Sequence, residues 1–252
     1  MVHWCLGMYA SGSTWTYNVT RQIAALVTSV KPVLLHFVSR TADVALFERR
    51  LAETAAQAGR VHIVKSHEID DEPAVAALSR RADAIIVTIR DPRDAVTSLM
   101  LYQGFVFDRS LSLVEKSARL CARFTADQRS LLLRYEAGFT KDVMTLDRIA
   151  ASFHRSVSAS DRARIFAANR RAAVEALIAD LPQQPTSLIN VARPDEVLDP
   201  VSQWHTHHAG RTGEIGRWRH MLTKPEALEV ERRLGDWMDR FSYGRDNVQP
   251  GA

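Results

Sequence analysis

Only two cysteines, Cys5 and Cys121, occur in the 252 residues, too few for a disulfide framework. Cys5 lies inside an apolar run and reads as a buried free thiol. No stretch reaches membrane-spanning length, which argues against a helical membrane protein. No basic segment followed by an apolar one opens the chain. The first expected strand begins almost at Met1, leaving little room for a targeting segment. A soluble cytoplasmic protein is the expectation, with a homodimer left open. There is no basic tail either: arginine supplies most of the positive charge and is scattered along the chain. A net charge of +4 suits an anionic small molecule as well as nucleic acid. The scatter argues against nucleic acid as the main partner. Neither an internal repeat nor a low-complexity tract is present.

What is present is a 46% apolar composition, ordinary for a chain that buries a core. The length suits one α/β domain with a substantial insertion. Residues 2–9 are apolar and β-prone. From Trp15 onward, Trp15, Val19, Ile23, Leu26 and Val27 fall at helical spacing. Between the two lie the small residues Ala10, Ser11, Gly12, Ser13 and Thr14, and either Ser13 or Thr14 is suited to cap the helix. A strand, a tight turn and a helix N-terminus form an anion cradle, because the first amides point outward and the helix dipole favours negative charge. The stretch predicts a nucleotide phosphate site.

Further strands are expected at 32–38, 61–65 and 84–89, the last apolar enough to be buried on both faces. Helices are expected at 44–58, stopped by Gly59, and after the polar turn 68–72, with Pro73 in the first turn. Asp91 and Pro92 open another helix. Helix 111–126 precedes 130–135, which fits a strand or a helix. Helices 141–153 and 160–181 follow, then an irregular 182–200 and a Gly- and His-containing loop at 205–216. Thr223 and Glu226 form a capping box that opens the last helix. This alternation implies a three-layer α/β/α fold, P-loop-like, with a central parallel sheet and its chemistry at the strands' carboxyl ends. One domain, 1–252, is expected, with 111–200 a mainly helical subdomain or lid.

Gly7 to Gly12 has the spacing of a Walker A loop, and Thr14 stands where a metal-binding hydroxyl would. Ser13 occupies the place of the phosphate-contacting lysine. A bare glycine turn without ligand is the competing reading. Other strand ends carry Lys65-Ser66-His67 and Arg90-Asp91-Pro92-Arg93-Asp94, with Ser98 eight residues after Arg90. Leu133-Arg134-Tyr135-Glu136 follows, and Arg211-Thr212-Gly213 leads to Gly216-Arg217-Trp218-Arg219 near the end. In this order the five motifs resemble the sulfotransferases that use 3'-phosphoadenosine 5'-phosphosulfate (PAPS). That family's counterparts are Pro-Lys-Ser-Gly-Thr-Thr-Trp, Lys-Thr-His, Arg-Asn-Pro-Lys-Asp with its serine, Leu-x-Tyr-Glu and Arg-Lys-Gly-x-x-Gly-x-Trp-Lys. The chain departs from the loop motif twice: Ala10 falls on its lysine and Tyr9 on its proline. Lys65 is the nearest replacement for that lysine, ahead of Arg21 and Arg217.

The resemblance implies sulfuryl transfer from PAPS to a hydroxyl, leaving adenosine 3',5'-bisphosphate, with no metal. His67 would be the general base. Lys65 points to the same side of its strand and would stabilise the leaving phosphate with the amides at Gly12 to Thr14. Ser11, Gly12, Ser13, Thr14 and Trp15 would hold the 5' end and adenine. Arg90 and Ser98 would hold the 3'-phosphate, with Tyr135, Arg211, Thr212 and Gly213 completing the nucleotide site. Structural readings compete: a surface His67, an Arg90 that only bridges Asp94, a Trp15 or Trp218 that only packs. His205, His207 and His208 have no acidic or thiol partners at ligand spacing, so a loop or substrate-lining role outweighs a metal site. Two rival functions stand beside the first. One is a P-loop kinase or NTPase with a degenerate Walker A and Asp91 as a weak Walker B carboxylate. The other is a nucleotide-binding relative without catalysis, motivated by Ala10. The acceptor, whether a small-molecule, glycan or lipid hydroxyl, is not legible.

Overall fold

The computed structural model describes residues 1–27, 33–54, 59–190, 193–208 and 213–245. Five parallel strands form the central sheet: β1 (Val2–Gly7), β2 (Leu34–Phe37), β3 (His62–Ser66), β4 (Ala84–Ile89) and β5 (Ser130–Arg134). Their order is β2-β3-β1-β4-β5. From β1 the chain goes out to the edge strand β2, returns inward as β3 beside β1, and then crosses to β4 and β5 on the other side, so the reversal flanks β1 and opens a crevice at its carboxyl end.

Alternation along β1 builds two cores. Trp4 and Leu6 join Val64, Ile85 and Val87 on one face, while Cys5 joins Ile63, Ile86 and Leu133 on the other. The first face is covered by α3 (Glu72–Arg81), α4 (Pro92–Gln103), α5 (Phe107–Phe124) and α9 (Lys224–Arg240). The second is covered by α1 (Ser13–Val27), α6 (Thr145–Ala151), α7 (Ala159–Ala168) and α8 (Arg171–Asp180). Helix α2 (Thr41–Thr54) also adds Val44 and Phe47 to the first core. Of residues 111–200, then, α5 lies flat under the sheet through Leu111, Val114, Leu120 and Phe124. Each such side chain contributes about 1.5–3 kcal/mol on burial. Cys5 and Cys121 are buried free thiols.

Local chemistry moves several expected boundaries. Helix α2 starts at Thr41 because the Asp43 carboxylate accepts from the amides of Ser39 and Arg40 (3.1 and 2.9 Å); residues 55–58 of the expected helix lie outside the described residues. Helix α6 starts only at Thr145, since Asp142 accepts from Met144 N at 2.9 Å after a 3-10 turn at Phe139–Lys141. The single helix expected over 160–181 is two. Asn169 ends α7 by folding its amide onto Ile165 O (2.8 Å), and Arg170 is extended. The segment expected to be irregular, 182–200, contains an antiparallel hairpin, β6 (Leu188–Asn190) with β7 (Arg193–Leu198). The Asp91 cap and the capping box of Thr223 with Glu226 form as the sequence expects, and Asp71 caps α3.

Candidate active site

The loop after β1 is shaped by close approach. A Cβ on Gly7 would lie 2.3 Å from Thr88 Oγ1 and 2.4 Å from Ser13 Cβ, so only glycine lets β4 and the start of α1 come this near. Ala10 and Gly12 take left-handed φ values of 56° and 84°. Ser11 turns inward: its hydroxyl donates to Met8 O and is bonded to Thr88 Oγ1, both at 2.7 Å. It fixes the turn rather than facing outward. Thr16 N–H bonds back to Gly12 O at 3.1 Å, so the amides of Gly12 to Trp15 precede the helical ladder and point out of its end.

The end of β3 brings two groups to this loop. Lys65 is 3% exposed, and its ammonium donates to Thr14 Oγ1 at 2.7 Å. Among the described residues no carboxylate pairs with it. Burial lowers its pKa to about 7. His67 Nδ1 bonds to Gly7 O at 2.8 Å. A carbonyl only accepts, so Nδ1 carries the proton and Nε2 holds the lone pair. Burial first, and the Lys65 charge second, lower the imidazole pKa to about 3, which keeps it neutral at pH 7. Arg21 donates to Asn18 Oδ1 and Arg217 is held by Glu214 and Tyr102. Of Lys65, Arg21 and Arg217, Lys65 is the one that reaches the loop.

Arg90, at the end of β4, cross-braces four motifs. It donates to Ala10 O (3.1 Å) and Glu214 O (2.7 Å), lies 4.4 Å over the Tyr135 ring and stands 3.7 Å from Asp94. Its buried Nε has no partner among the described residues. Asp94, 2% exposed, accepts from the amides of Gly216 (2.7 Å) and Trp218 (3.1 Å). Tyr135 OH donates to Gly213 O at 3.3 Å, and a Cβ on Gly213 would sit 2.6 Å from that hydroxyl oxygen. Ser98 is half-buried two turns along α4. Arg211 and Thr212 lie outside the described residues.

Comparison with known proteins returns structures alone: no family model and no curated protein matches the sequence. Mouse sulfotransferase SULT7A1 complexed with PAP aligns over 97% of this chain and 85% of its own, with TM-score 0.61 and 17% identity. Retinol dehydratase in complex with androsterone and inactive cofactor PAP aligns over 99% and 82%, with TM-score 0.58 and 15% identity. The chain has the sulfotransferase fold.

On this sulfotransferase fold, Trp15 packs. It is 5% exposed, donates its indole N–H to Asn169 O (3.0 Å) and meets Phe139 edge-on at 5.7 Å. Trp218 packs against the guanidinium groups of Arg93 and Arg219, 4.0 and 4.7 Å from its ring. Asp91 is consumed by capping α4 and by two bonds to the Arg93 guanidinium (3.1 and 2.8 Å). The histidine loop does have acidic partners, from β7: His205 meets Glu196 at 3.3 Å and His207 meets Asp195 at 2.9 Å. His205 and His208 rings lie 4.1 Å apart. Burial, then His205, Lys65 and His67, hold the pKa of His208 far below its ordinary value. Among the described residues no group of three or more ligating side chains is placed to hold a metal ion. Sequence reasoning named Tyr9 and Asp94 but gave neither a role in the site. For Asp94 the pairing with Arg90 was legible, not its two backbone partners 122 and 124 residues away.

Proposed function

We propose that this chain transfers a sulfuryl group from PAPS to a hydroxyl acceptor. The observation that carries the reading is Lys65 on Thr14 beside a neutral His67 whose free nitrogen is Nε2. A buried ammonium without a carboxylate is an unbalanced positive charge that an anion would complete. The Arg90 guanidinium faces Asp94, but its buried Nε is a second donor without a partner among the described residues. These groups and the outward amides of Gly12 to Trp15 fit a nucleotide carrying anionic groups at both ends. PAP, adenosine 3',5'-bisphosphate, is what the solved neighbours hold.

When bound, PAPS supplies an electrophilic sulfur and a phosphate leaving group. Lys65 and the loop amides stabilise charge that grows on that phosphate. His67 Nε2 takes the acceptor's hydroxyl proton, and Gly7 O stabilises the imidazolium through Nδ1–H. Arg90, with Ser98 on the following helix, holds the 3'-phosphate. Trp15 shapes the adenine end from within the core rather than as an exposed platform. A kinase reading would need Asp91 free for a metal, and Arg93 occupies it.

The test is a thermal melt with adenosine 3',5'-bisphosphate against MgATP, followed by the His67→Ala variant. The expected result is a shift with the bisphosphate alone. His67→Ala is expected to retain that shift and to lose turnover by roughly 100-fold or more. A shift with MgATP alone overturns the reading. Normal bisphosphate binding without sulfate transfer to phenols, sugars or lipids leaves the non-catalytic relative.

A further inference from the structure

We propose that Tyr9 is a positioning residue for His67, holding the imidazole plane so that Nε2 is presented to the acceptor. The proposal rests on the role given to His67 above. Tyr9 occupies the loop position where the resembling family has proline, a residue with no aromatic ring to stack and no hydroxyl to anchor. Its ring lies on the His67 imidazole at 4.5 Å between centroids and 17° between planes.

Backbone hydrogen bonds at Gly7 and Met8 hold the Nδ1 edge of His67, and the tilt of the ring plane is left to what packs on its face. A flat face against the imidazole fixes that tilt. Tyr9 can act in this way only if it is itself fixed, and it is fixed at both ends. Its N–H donates to Ser117 Oγ (3.4 Å), which donates to Val114 O on α5 (3.0 Å). Its hydroxyl donates to Glu68 Oε1 (3.1 Å), on the residue directly after His67. Burial and the neighbouring Glu68 charge push the phenol pKa up, so the hydroxyl remains a donor. Burial also raises the pKa of Glu68, whose other oxygen, Oε2, is buried with no partner among the described residues. The tyrosine hydroxyl is therefore the hydrogen bond this carboxylate has, and tether and stack stand together.

The experiment reads the His67 tautomer in the full-length protein by long-range ¹H–¹⁵N NMR, beside kcat, the donor KM and the affinity for adenosine 3',5'-bisphosphate. The variants are Tyr9→Leu, which keeps apolar volume but removes the flat face, and Tyr9→Phe, which keeps the ring and loses the tether. In the wild type His67 is expected as the single Nδ1–H form. Tyr9→Leu should mix the tautomers and lower kcat by roughly 10- to 100-fold, with bisphosphate affinity within about 3-fold. Tyr9→Phe should keep the single form. The proposal is overturned if Tyr9→Leu keeps one tautomer, if Tyr9→Phe mixes them as fully as Tyr9→Leu, or if affinity and melting temperature fall in step with kcat. If Tyr9→Leu mixes the tautomers but the wild type sulfates no acceptor, positioning holds and the assigned reaction fails.

Discussion

Lys65 Nζ donates to Thr14 Oγ1 at 2.7 Å, joining the end of β3 to the first turn of α1. The Ala10 loop has no lysine of its own, and this contact brings a cation to the same turn from the neighbouring strand. Replacing Lys65 by Met should weaken adenosine 3',5'-bisphosphate binding by roughly 10- to 100-fold, the equivalent of a charged hydrogen bond. The pH dependence has a definite sign. The folded pKa, about 7, lies below the unfolded value, so the unfolded chain holds the extra proton between about pH 7 and the ordinary lysine range. Apo stability therefore rises with pH across that window, while nucleotide affinity falls as Lys65 loses its proton. Calorimetric titration from pH 6.5 to 9 tests both: a wild-type affinity that is flat with pH, or a slope that persists in Lys65→Met, contradicts the assignment.

Asp94 fastens the C-terminal motif to the nucleotide edge of the sheet. One carboxylate accepts from Gly216 N and Trp218 N and faces Arg90, all while buried. Asp94→Asn offers one acceptor oxygen where two are used and removes the charge opposite Arg90. A loss of about 1–3 kcal/mol in unfolding free energy is expected, measured by urea titration. Bisphosphate affinity should fall with it, because Glu214 O and Tyr135 hold Arg90 only while the loop is seated. Retained stability in Asp94→Asn would remove Asp94 from this role.

Much of this was legible in the sequence, and the remainder was hidden for identifiable reasons. The strands, the Asp91 and Thr223 caps and the layer order follow from local periodicity and capping chemistry, which neighbouring residues carry. The motif residues Lys65, His67 and Arg90 were found because each ends a strand. What local pattern could not carry was partnership at a distance. Trp15 reads as an aromatic at a loop end, and only the fold places Asn169 O against its indole, the same contact that accompanies the break between α7 and α8. The β6–β7 hairpin was missed because its strands are short and irregular: Leu188 and Ile189 pair with Leu198 and Val197, and the register shifts at Asn190. Acidic partners for the histidine loop likewise come from that hairpin, at a spacing with no motif.

The histidines away from the site set a limit on acid stability. His3 is fully buried, stacked on Phe153 at 3.6 Å, and its Nε2 is 3.1 Å from Ser152 O. His36 lies against His62, Nε2 to Nδ1 at 3.1 Å, between β2 and β3. Burial lowers His3 and His36 to a pKa of about 4 and lowers His62 as well. Two imidazoles sharing one hydrogen bond cannot both be protonated without losing it, so the pair is stable only while at least one ring is neutral. The unfolded chain binds these protons near pH 6.5, so stability is complete above that pH and declines toward pH 4, by up to roughly 1.4 kcal/mol per pH unit for each group. His36→Phe removes one titrating ring and should flatten this slope whatever it does to stability at pH 7.5. Urea midpoints taken every half unit from pH 7.5 to 4.5 measure it, and an unchanged slope in His36→Phe would mean that the acid sensitivity resides elsewhere.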